Sequence, residues 1–301
     1  MATLVAEEDP FWDCALAEES EVSARAFLSP DEEEEAVRQG AAWTSSEFCA
    51  PPPQVLRIPS ATGEGRVPIT VLPMPEEDGV FSVVGGELWD AAILFAHWSS
   101  TSRGRELLAG SRLLELGSGL GLAGLAAGHP ELGAASSVHL TDFQQPLLDN
   151  LQRTCEQAVG KFEVTRLDWN DFNQTDNGDG NGEDDNEESP QRQQPLSPHP
   201  HPLLSDTFDL VVGAALIYAP HLGRAVAQVL LSCFLHGGAR AAIVLQMPSR
   251  PGFSDFLLGL DALGLSHEEV PVDKLGLDET ELPKLHADLQ DFVLCTVHAP
   301  S

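Results

Sequence analysis

The chain has 301 residues, of which 42% are hydrophobic, so it is long enough for one large domain with an extension. Its 47 acidic and 16 basic residues give a net charge of −31, which disfavours nucleic acid and anionic membrane surfaces as partners. No run of about 18 apolar residues occurs, so we expect no membrane span. We expect a monomer that attracts a basic segment of another protein.

The acidic N-terminus lacks a basic region followed by an apolar core, which predicts that no secretory signal is present. The five cysteines are scattered and form no C-x-x-C pair, namely Cys14, Cys49, Cys155, Cys233 and Cys295. This pattern is typical of free thiols in a reducing compartment rather than of a disulfide framework or a zinc site. We therefore expect a cytoplasmic protein, with the nucleus as an alternative location, and no bound metal.

The N-terminal part of the chain divides at a run of three prolines. Residues 1–50 form an acidic extension that we expect to be partly disordered or helical. Residues 51–84 are predicted to contain a β-hairpin that leads into the core. Its two strands are expected at 55–58 and 67–72, on either side of a Gly-Glu-Gly turn.

From residue 85 to 301 strands and helices alternate, which predicts a parallel sheet with helices on both faces. Strands are expected at 112–116, 137–142, 162–169, 208–212, 239–245 and 292–297, and helices at 88–98, 120–127, 146–158, 221–235 and 252–263. Residues 173–202 are low in complexity and too polar to bury much surface, so we expect a disordered insertion. The spacing of acids in this insertion does not match a calcium-binding loop.

The most informative segment runs from Leu113 to Gly121, an apolar strand that ends in a glycine-rich turn before a helix. Glycine permits a tight turn and a close approach of the backbone to a ligand. The free N–H groups at the start of the helix can then face that ligand. The segment therefore predicts a nucleotide-type cofactor site, with a turn that binds no ligand as the simpler alternative.

Two registers of the glycine turn predict different cofactors. The segment Gly119–Gly124 satisfies the dinucleotide pattern G-x-G-x-x-G, and Asp142 lies about 20 residues further on. The other register starts at Gly117 and has Glu115 just before it. A carboxylate beside the turn favours the cationic sulfonium and ammonium groups of S-adenosylmethionine over a pyrophosphate.

Three further blocks flank the glycine turn and favour the second register. They are Gly-Glu-Leu-Trp-Asp-Ala-Ala at 86–92, Leu-Asp-Trp at 167–169 and Gly-Ala-Ala-Leu-Ile-Tyr at 213–218. Together with the turn, the blocks resemble the seven-β-strand, S-adenosylmethionine-dependent protein-lysine methyltransferases, above all the subgroup that modifies elongation factor 2. The resemblance covers about residues 55–250. It implies a Rossmann-like α/β fold with a seven-stranded, mostly parallel sheet, and S-adenosyl-L-methionine as the cofactor.

The resemblance also implies roles for single positions in cofactor binding. Trp89 matches the tryptophan that helps to close the methionine end of the cofactor. Gly117, Ser118 and Gly119 match the cofactor loop. Asp142 matches the acid that binds the ribose hydroxyls.

The remaining positions concern the adenine and the substrate. Trp169 matches the residue beside the adenine, and Ala214 matches the small residue beneath the cofactor. Tyr218 is the candidate for positioning the substrate lysine. The family usually has an acid three residues before this tyrosine, where this chain has Ala215, so we expect activity, substrate type or both to depart from the family pattern.

Four functions follow from these observations. The first is a protein-lysine methyltransferase that acts on a translation factor or a similar basic partner. The alternatives are a non-catalytic adaptor that binds S-adenosylmethionine, a small-molecule methyltransferase, and a dinucleotide oxidoreductase that uses the Gly119–Gly124 register. For the first function, we name Asp90, Asp168 and Asp171 as acids that could compensate for Ala215.

Overall fold

The computed structural model describes residues 52–63, 65–74, 84–172 and 202–300. The predicted acidic extension at 1–50 and all but the last residue of the predicted insertion at 173–202 lie outside the described residues. Nine strands occur in the described ranges, namely β1 (Gln54–Pro59), β2 (Arg66–Val71), β3 (Arg112–Leu116), β4 (Ser137–Asp142), β5 (Phe162–Arg166), β6 (Leu210–Ala214), β7 (Ala241–Gln246), β8 (His267–Pro271) and β9 (Val293–His298). The helices described are α1 (Asp90–Ser99), α2 (Ser102–Leu108), α3 (Leu122–Gly128), α4 (Gln145–Cys155), α5 (Pro220–Leu235) and α6 (Phe253–Ala262).

Seven strands form one sheet in the order β5-β4-β3-β6-β7-β9-β8. The first five strands in this order pair in parallel, and β9 is antiparallel to both of its neighbours. The structure thus confirms the α/β fold class with a seven-stranded, mostly parallel sheet. From β3 the chain proceeds outward to β4 and β5, and it later returns to β6 on the other side of β3. In sheets of this kind ligands bind at such a switch point, at the carboxyl ends of the strands.

The apolar run in β3 reflects burial on both faces of the sheet. Leu114 and Leu116 pack into the cluster that α5 and α6 complete. Leu113 faces the opposite cluster, which α1 and α3 complete. Because side chains alternate along a strand, Glu115 lies on the same face as Leu113, beneath α3.

The predicted hairpin is present as the antiparallel pair of β1 and β2. Its apolar residues Ile58, Val67, Ile69 and Val71 are buried in a third cluster with residues of α1 and α3. The hairpin therefore packs against α1 and α3, and α3 is the helix that follows the glycine turn.

One local expectation was wrong, and two elements were not predicted. The strand expected at 162–169 ends at Arg166, and Trp169 begins a 3-10 helix, Trp169–Phe172. Helix α2 was not predicted, although Thr101 caps it by accepting a hydrogen bond from the Gly104 amide at 3.1 Å. Strand β8 was not predicted because it is a polar edge strand, which needs no alternation of buried side chains.

Candidate cofactor-binding site

The turn between β3 and α3 depends on glycine backbone geometry. Gly117, Gly119 and Gly121 have φ values of 57°, 52° and 89°, in the left-handed region that other residues adopt only with strain. A Cβ atom on Gly119 would lie 2.9 Å from the carbonyl oxygen of Gly85. The block around Gly86 and the glycine turn, separate in sequence, are thus in contact.

The turn is tied to the neighbouring strand β4 by hydrogen bonds of Ser118 and Thr141. The Ser118 amide donates to the Thr141 carbonyl at 2.8 Å, and the Thr141 amide donates to Ser118 Oγ at 3.0 Å. The Thr141 hydroxyl donates to the Glu115 carbonyl at 2.6 Å. These bonds hold the predicted loop residue Ser118 in place and give Thr141 a role that its position in the sequence did not reveal.

Asp142 ends β4 beside the glycine turn, as expected of a ribose-binding acid. Its Oδ2 accepts a hydrogen bond from the Gly119 amide at 3.2 Å. Its Oδ1 accepts from the amides of Phe143 and Gln144 at 2.8 and 3.3 Å. Burial raises the pKa of Asp142, and the three amide bonds oppose this shift. A carboxylate has about four acceptor sites, so one remains for a ligand hydroxyl.

Glu115 lies deeper than its position beside the turn suggested, with an exposed fraction of 2%. Its Oε1 accepts a hydrogen bond from the Gly124 amide at 3.1 Å, and Oε2 has no hydrogen-bond partner among the described residues. Burial raises the pKa of this carboxyl group to about 8. Glu115 therefore contacts helix α3 directly, and its carboxyl group lies against Gly124 rather than at the surface of the turn.

Trp169 and Leu216 lie against Gly117 of the glycine turn. A Cβ atom on Gly117 would lie 3.1 Å from Leu216 Cδ2 and 3.2 Å from Trp169 Cζ2. The glycine turn, the Leu-Asp-Trp block and the block after β6 therefore meet at one point. The half-buried ring of Trp169 is next to the turn, where an aromatic face could stack on an adenine.

Trp89 directly precedes α1 and is half-buried. The guanidinium carbon of Arg250 lies 5.0 Å from the centre of its ring, within the range of a cation–π contact. Arg250 follows β7, and no motif in the sequence indicated this contact. The role of Trp89 at the methionine end of a cofactor stays a prediction.

The turn after β6 carries Ala214, Ala215 and Tyr218. Ala214 is the last residue of its strand, and Ala215 has a φ of 56°. Tyr218 is 40% exposed, and its pKa is raised first by burial and then by the carboxylate of Asp142. Tyr218 and Asp142 thus lie at the same edge of the sheet, close enough to interact electrostatically.

Two of the acids named as substitutes for the missing family acid are already engaged. Asp90 Oδ2 accepts hydrogen bonds from the amides of His286 and Ala287 at 2.8 and 3.1 Å. Asp168 pairs with Arg166 at 2.9 Å and accepts from the Asn170 amide. Asp90 therefore anchors the segment before β9, and Asp168 stabilises the turn that carries Trp169.

The residues at this edge fit an adenosine-type cofactor. Glycines at 117 and 119 form the turn, the aromatic ring of Trp169 lies beside Gly117, and Asp142 retains acceptor capacity. Within the described residues, no group of three or more histidine, cysteine or acidic side chains could hold a metal ion. No helix in those same ranges is sufficiently long and apolar to span a membrane.

A family model described as lysine methyltransferase matches residues 71–181. This range contains the Trp89 block, the glycine turn, Asp142 and Trp169. The match supports a methyltransferase that uses S-adenosylmethionine, and it leaves the substrate open. It also favours the Gly117 register over the dinucleotide register. No curated protein sequence matches the chain.

Solved structures with a similar arrangement include several methyltransferases. A candidate RNA methyltransferase from Pyrococcus horikoshii is 14% identical, with 75% of this chain and 93% of that chain covered and a TM-score of 0.41. A candidate S-adenosylmethionine-dependent methyltransferase from Streptococcus mutans is 12% identical, with 89% and 65% covered and a TM-score of 0.44. A candidate tRNA methyltransferase from Streptococcus pneumoniae, in complex with S-adenosylmethionine, is 12% identical, with 66% and 73% covered and a TM-score of 0.38. Similarities this weak carry no inference about activity.

Proposed function

We propose that this protein is an S-adenosylmethionine-dependent methyltransferase that modifies a lysine side chain of a basic protein, with a translation factor as the first candidate. The match of residues 71–181 to the lysine methyltransferase model carries the proposal. The contacts among the glycine turn, Trp169, Leu216 and Gly85 support it, because these segments meet at the switch point of the sheet.

The predicted site residues other than Glu115 have distinct tasks in this function. When bound, the cofactor would supply a methyl group on a sulfonium, which is a good leaving group. The turn at Gly117–Gly119 lets the backbone approach the ligand, and Asp142 accepts a hydrogen bond from the ribose with its remaining lone pair. Trp169 stacks beside the adenine, Ala214 leaves room beneath it, and Trp89 closes the methionine end.

On the substrate side, the protein has to hold an unprotonated amine in line with the methyl group. A free lysine has a pKa of about 10.4 and must lose a proton before it can attack. The phenol oxygen of Tyr218 can accept or donate a hydrogen bond and so orient the neutral amine. The net charge of −31 attracts a basic substrate over a long range.

Ala215 favours a second function, that of a non-catalytic protein that binds S-adenosylmethionine. The family that the chain resembles usually has an acid here, and that acid is thought to help hold the lysine. Asp90 and Asp168 are bound to other groups, so neither is free to replace it without breaking those bonds.

Labelled S-adenosylmethionine added to a lysate from cells without this protein tests the proposal. We expect the wild-type chain to label a protein band, and Asp142→Ala to lose most of the labelling. Label confined to small molecules would indicate a small-molecule methyltransferase. Cofactor binding in a calorimeter without any labelled product would indicate the adaptor, and tight NAD binding without S-adenosylhomocysteine binding would overturn both.

An Ala215→Asp variant separates the enzyme from the adaptor more sharply. If the missing acid limits catalysis, this variant transfers label faster than the wild type. Ala215→Asn is the matched control, since asparagine has the same shape and also tolerates a left-handed φ but carries no charge. Equal rates for the two variants would argue against a role for the acid.

A further inference from the structure

Gln246, the last residue of β7, holds the turn after β6 by two hydrogen bonds. Its side chain is 1% exposed. Its Nε2 donates to the carbonyl of Ile217 at 2.8 Å, and its Oε1 accepts from the amide of Ile217 at 3.1 Å. One amide side chain thus pairs with both backbone polar groups of one buried residue, as a neighbouring strand would.

The turn needs an external anchor because its own geometry is unfavourable. Ala215 has a φ of 56°, which costs an L-residue about 1–2 kcal/mol. Its amide donates to the Leu245 carbonyl at 3.0 Å, so the first residue of the turn is also held by β7. Both anchors come from the end of β7, and they fix the turn at residues 215 and 217.

Tyr218 directly follows Ile217, so the hydrogen bonds that hold Ile217 also affect where the Tyr218 side chain lies. Leu216 packs against Gly117 of the cofactor loop, and Ile217 is buried in the core under α5. With both preceding residues held inward, Tyr218 is left at the edge of the sheet on the side of Asp142. The position of its ring is therefore a consequence of how Ile217 is bound.

We propose that Gln246 is a positioning residue that sets the location of the Tyr218 ring by binding the backbone of Ile217. The effect of Gln246 on the rate of methyl transfer rests on the function proposed above. Its effect on the position of the Tyr218 ring does not. No sequence motif points to Gln246, because it is 29 residues away from the residue whose backbone it binds.

Two uncharged variants test this role in the full-length protein. Gln246→Leu has a similar size and lacks both hydrogen bonds, and Gln246→Asn keeps the amide but is one methylene too short. Gln228→Leu is the matched control, because Gln228 lies in α5 and its Oε1 has no partner among the described residues. If the leucine variant at 246 does not fold, the asparagine variant still decides the question.

The first measurement is the titration of Tyr218, which is the sole tyrosine in the chain and so gives an unmixed tyrosinate absorbance. Burial raises the pKa of this phenol in the wild type, with the Asp142 carboxylate as a second cause. We expect both Gln246 variants to lower the pKa toward the ordinary tyrosine value as the ring moves into solvent, and the Gln228 variant to titrate like the wild type.

The second measurement is hydrogen exchange of the Ile217 amide. Loss of its acceptor should speed exchange by about tenfold or more in both Gln246 variants. The proposal would be overturned by a folded Gln246 variant that matches the wild type in both measurements, the titration of Tyr218 and the exchange rate of the Ile217 amide.

Methyl transfer in the lysate assay is the third measurement. We expect the turnover rate to fall by about tenfold or more in the Gln246 variants, while calorimetry shows S-adenosylhomocysteine affinity within about twofold of wild type. If the wild type labels nothing, the proposed function fails, yet the titration and exchange still decide whether Gln246 positions Tyr218.

Discussion

At the scale of single residues, Ala215 combines an unusual backbone with an unusual side chain. It adopts a φ of 56°, where glycine, asparagine and aspartate are favoured over alanine. The family that this chain resembles usually has an acid at this position, and aspartate would fit this backbone conformation better than alanine does. Alanine at position 215 therefore has a small conformational cost and supplies no polar group.

We predict that Ala215→Gly raises the free energy of unfolding by about 0.5–1 kcal/mol, because relief of the left-handed strain exceeds the added entropy of the unfolded chain. Urea denaturation measures the change. Ala262→Gly, in the exposed last turn of α6, should lower the same quantity. A loss of stability in Ala215→Gly would show that its methyl group packs more favourably than its backbone geometry suggests.

Glu115 is a second residue whose environment has a measurable consequence. Its pKa is raised to about 8, so the folded state holds a proton that the unfolded state releases near pH 4.3 to 4.5. The stabilisation from this proton is fully present below the unfolded pKa. It is lost as the pH rises toward the folded pKa.

We therefore predict that wild type loses stability relative to Glu115→Gln between about pH 5 and about pH 8, by more than about 1 kcal/mol. Urea denaturation at both pH values gives the difference. Asp142 also has a raised pKa, but it is present in both proteins and cancels. The exposed substitution Glu156→Gln should give a curve parallel to that of the wild type, and parallel curves for Glu115→Gln would refute the buried-carboxyl assignment.

Asp142 is the residue on which cofactor affinity should depend most. We predict that Asp142→Ala weakens S-adenosylhomocysteine binding by about tenfold to a hundredfold, the usual worth of hydrogen bonds to a charged group. Calorimetry measures the affinity, with Asp149→Ala on the exposed side of α4 as the control. Unchanged affinity would mean that another residue binds the ribose.

At the scale of elements, the glycine turn contacts four segments that are far apart in sequence. Gly119 touches Gly85, Gly117 lies against Trp169 and Leu216, and Ser118 is bonded to Thr141. The glycine turn therefore holds together the segment before α1, the end of β4, the Leu-Asp-Trp block and the turn after β6.

We predict that Gly119→Ala reduces both stability and S-adenosylhomocysteine affinity. The new Cβ would lie 2.9 Å from the Gly85 carbonyl oxygen, and the φ of 52° costs about 1–2 kcal/mol for alanine. Gly110→Ala is the matched control, because Gly110 has a φ of 73° but open space around it. The control should lose stability alone, and full cofactor affinity in Gly119→Ala would contradict the contact at Gly85.

At the scale of the whole molecule, strand order decides where the site lies. β3 and β6 are adjacent at the switch point, and β4 is the other neighbour of β3. The residues that follow these three strands therefore meet at one edge, which is why Asp142 and Tyr218 interact although they are 76 positions apart (218 − 142).

The net charge of −31 gives a prediction that belongs to the whole molecule as well. If the substrate is a basic protein, the transfer rate at subsaturating substrate should fall steeply as ionic strength rises, because screening removes long-range attraction. Initial rates from about 0.05 to 0.5 M salt measure this. A rate that does not change with salt would argue against electrostatic attraction of the substrate.

Much of the fold could be predicted because strong local patterns specify it. The apolar run at Arg112–Leu116 and the glycines that follow it produced the correct strand and turn, since burial on both faces requires such a run. β8 and α2 could not be predicted, because β8 is polar and α2 is short, with Gly104 packed against the backbone of Trp98.

The sequence by itself determined which residue types stand at the candidate site: a glycine turn, an acid after the next strand, aromatic residues, and alanine where the family that the chain resembles usually has an acid. Only the tertiary structure decided how these residues meet, and it added Thr141, Arg250 and Gln246. The reason is physical, since these three act through contacts between side chains and groups far apart in the chain, and such contacts leave no periodic pattern. The burial of Glu115 likewise follows from the packing of α3 on the sheet, which a local motif does not reveal.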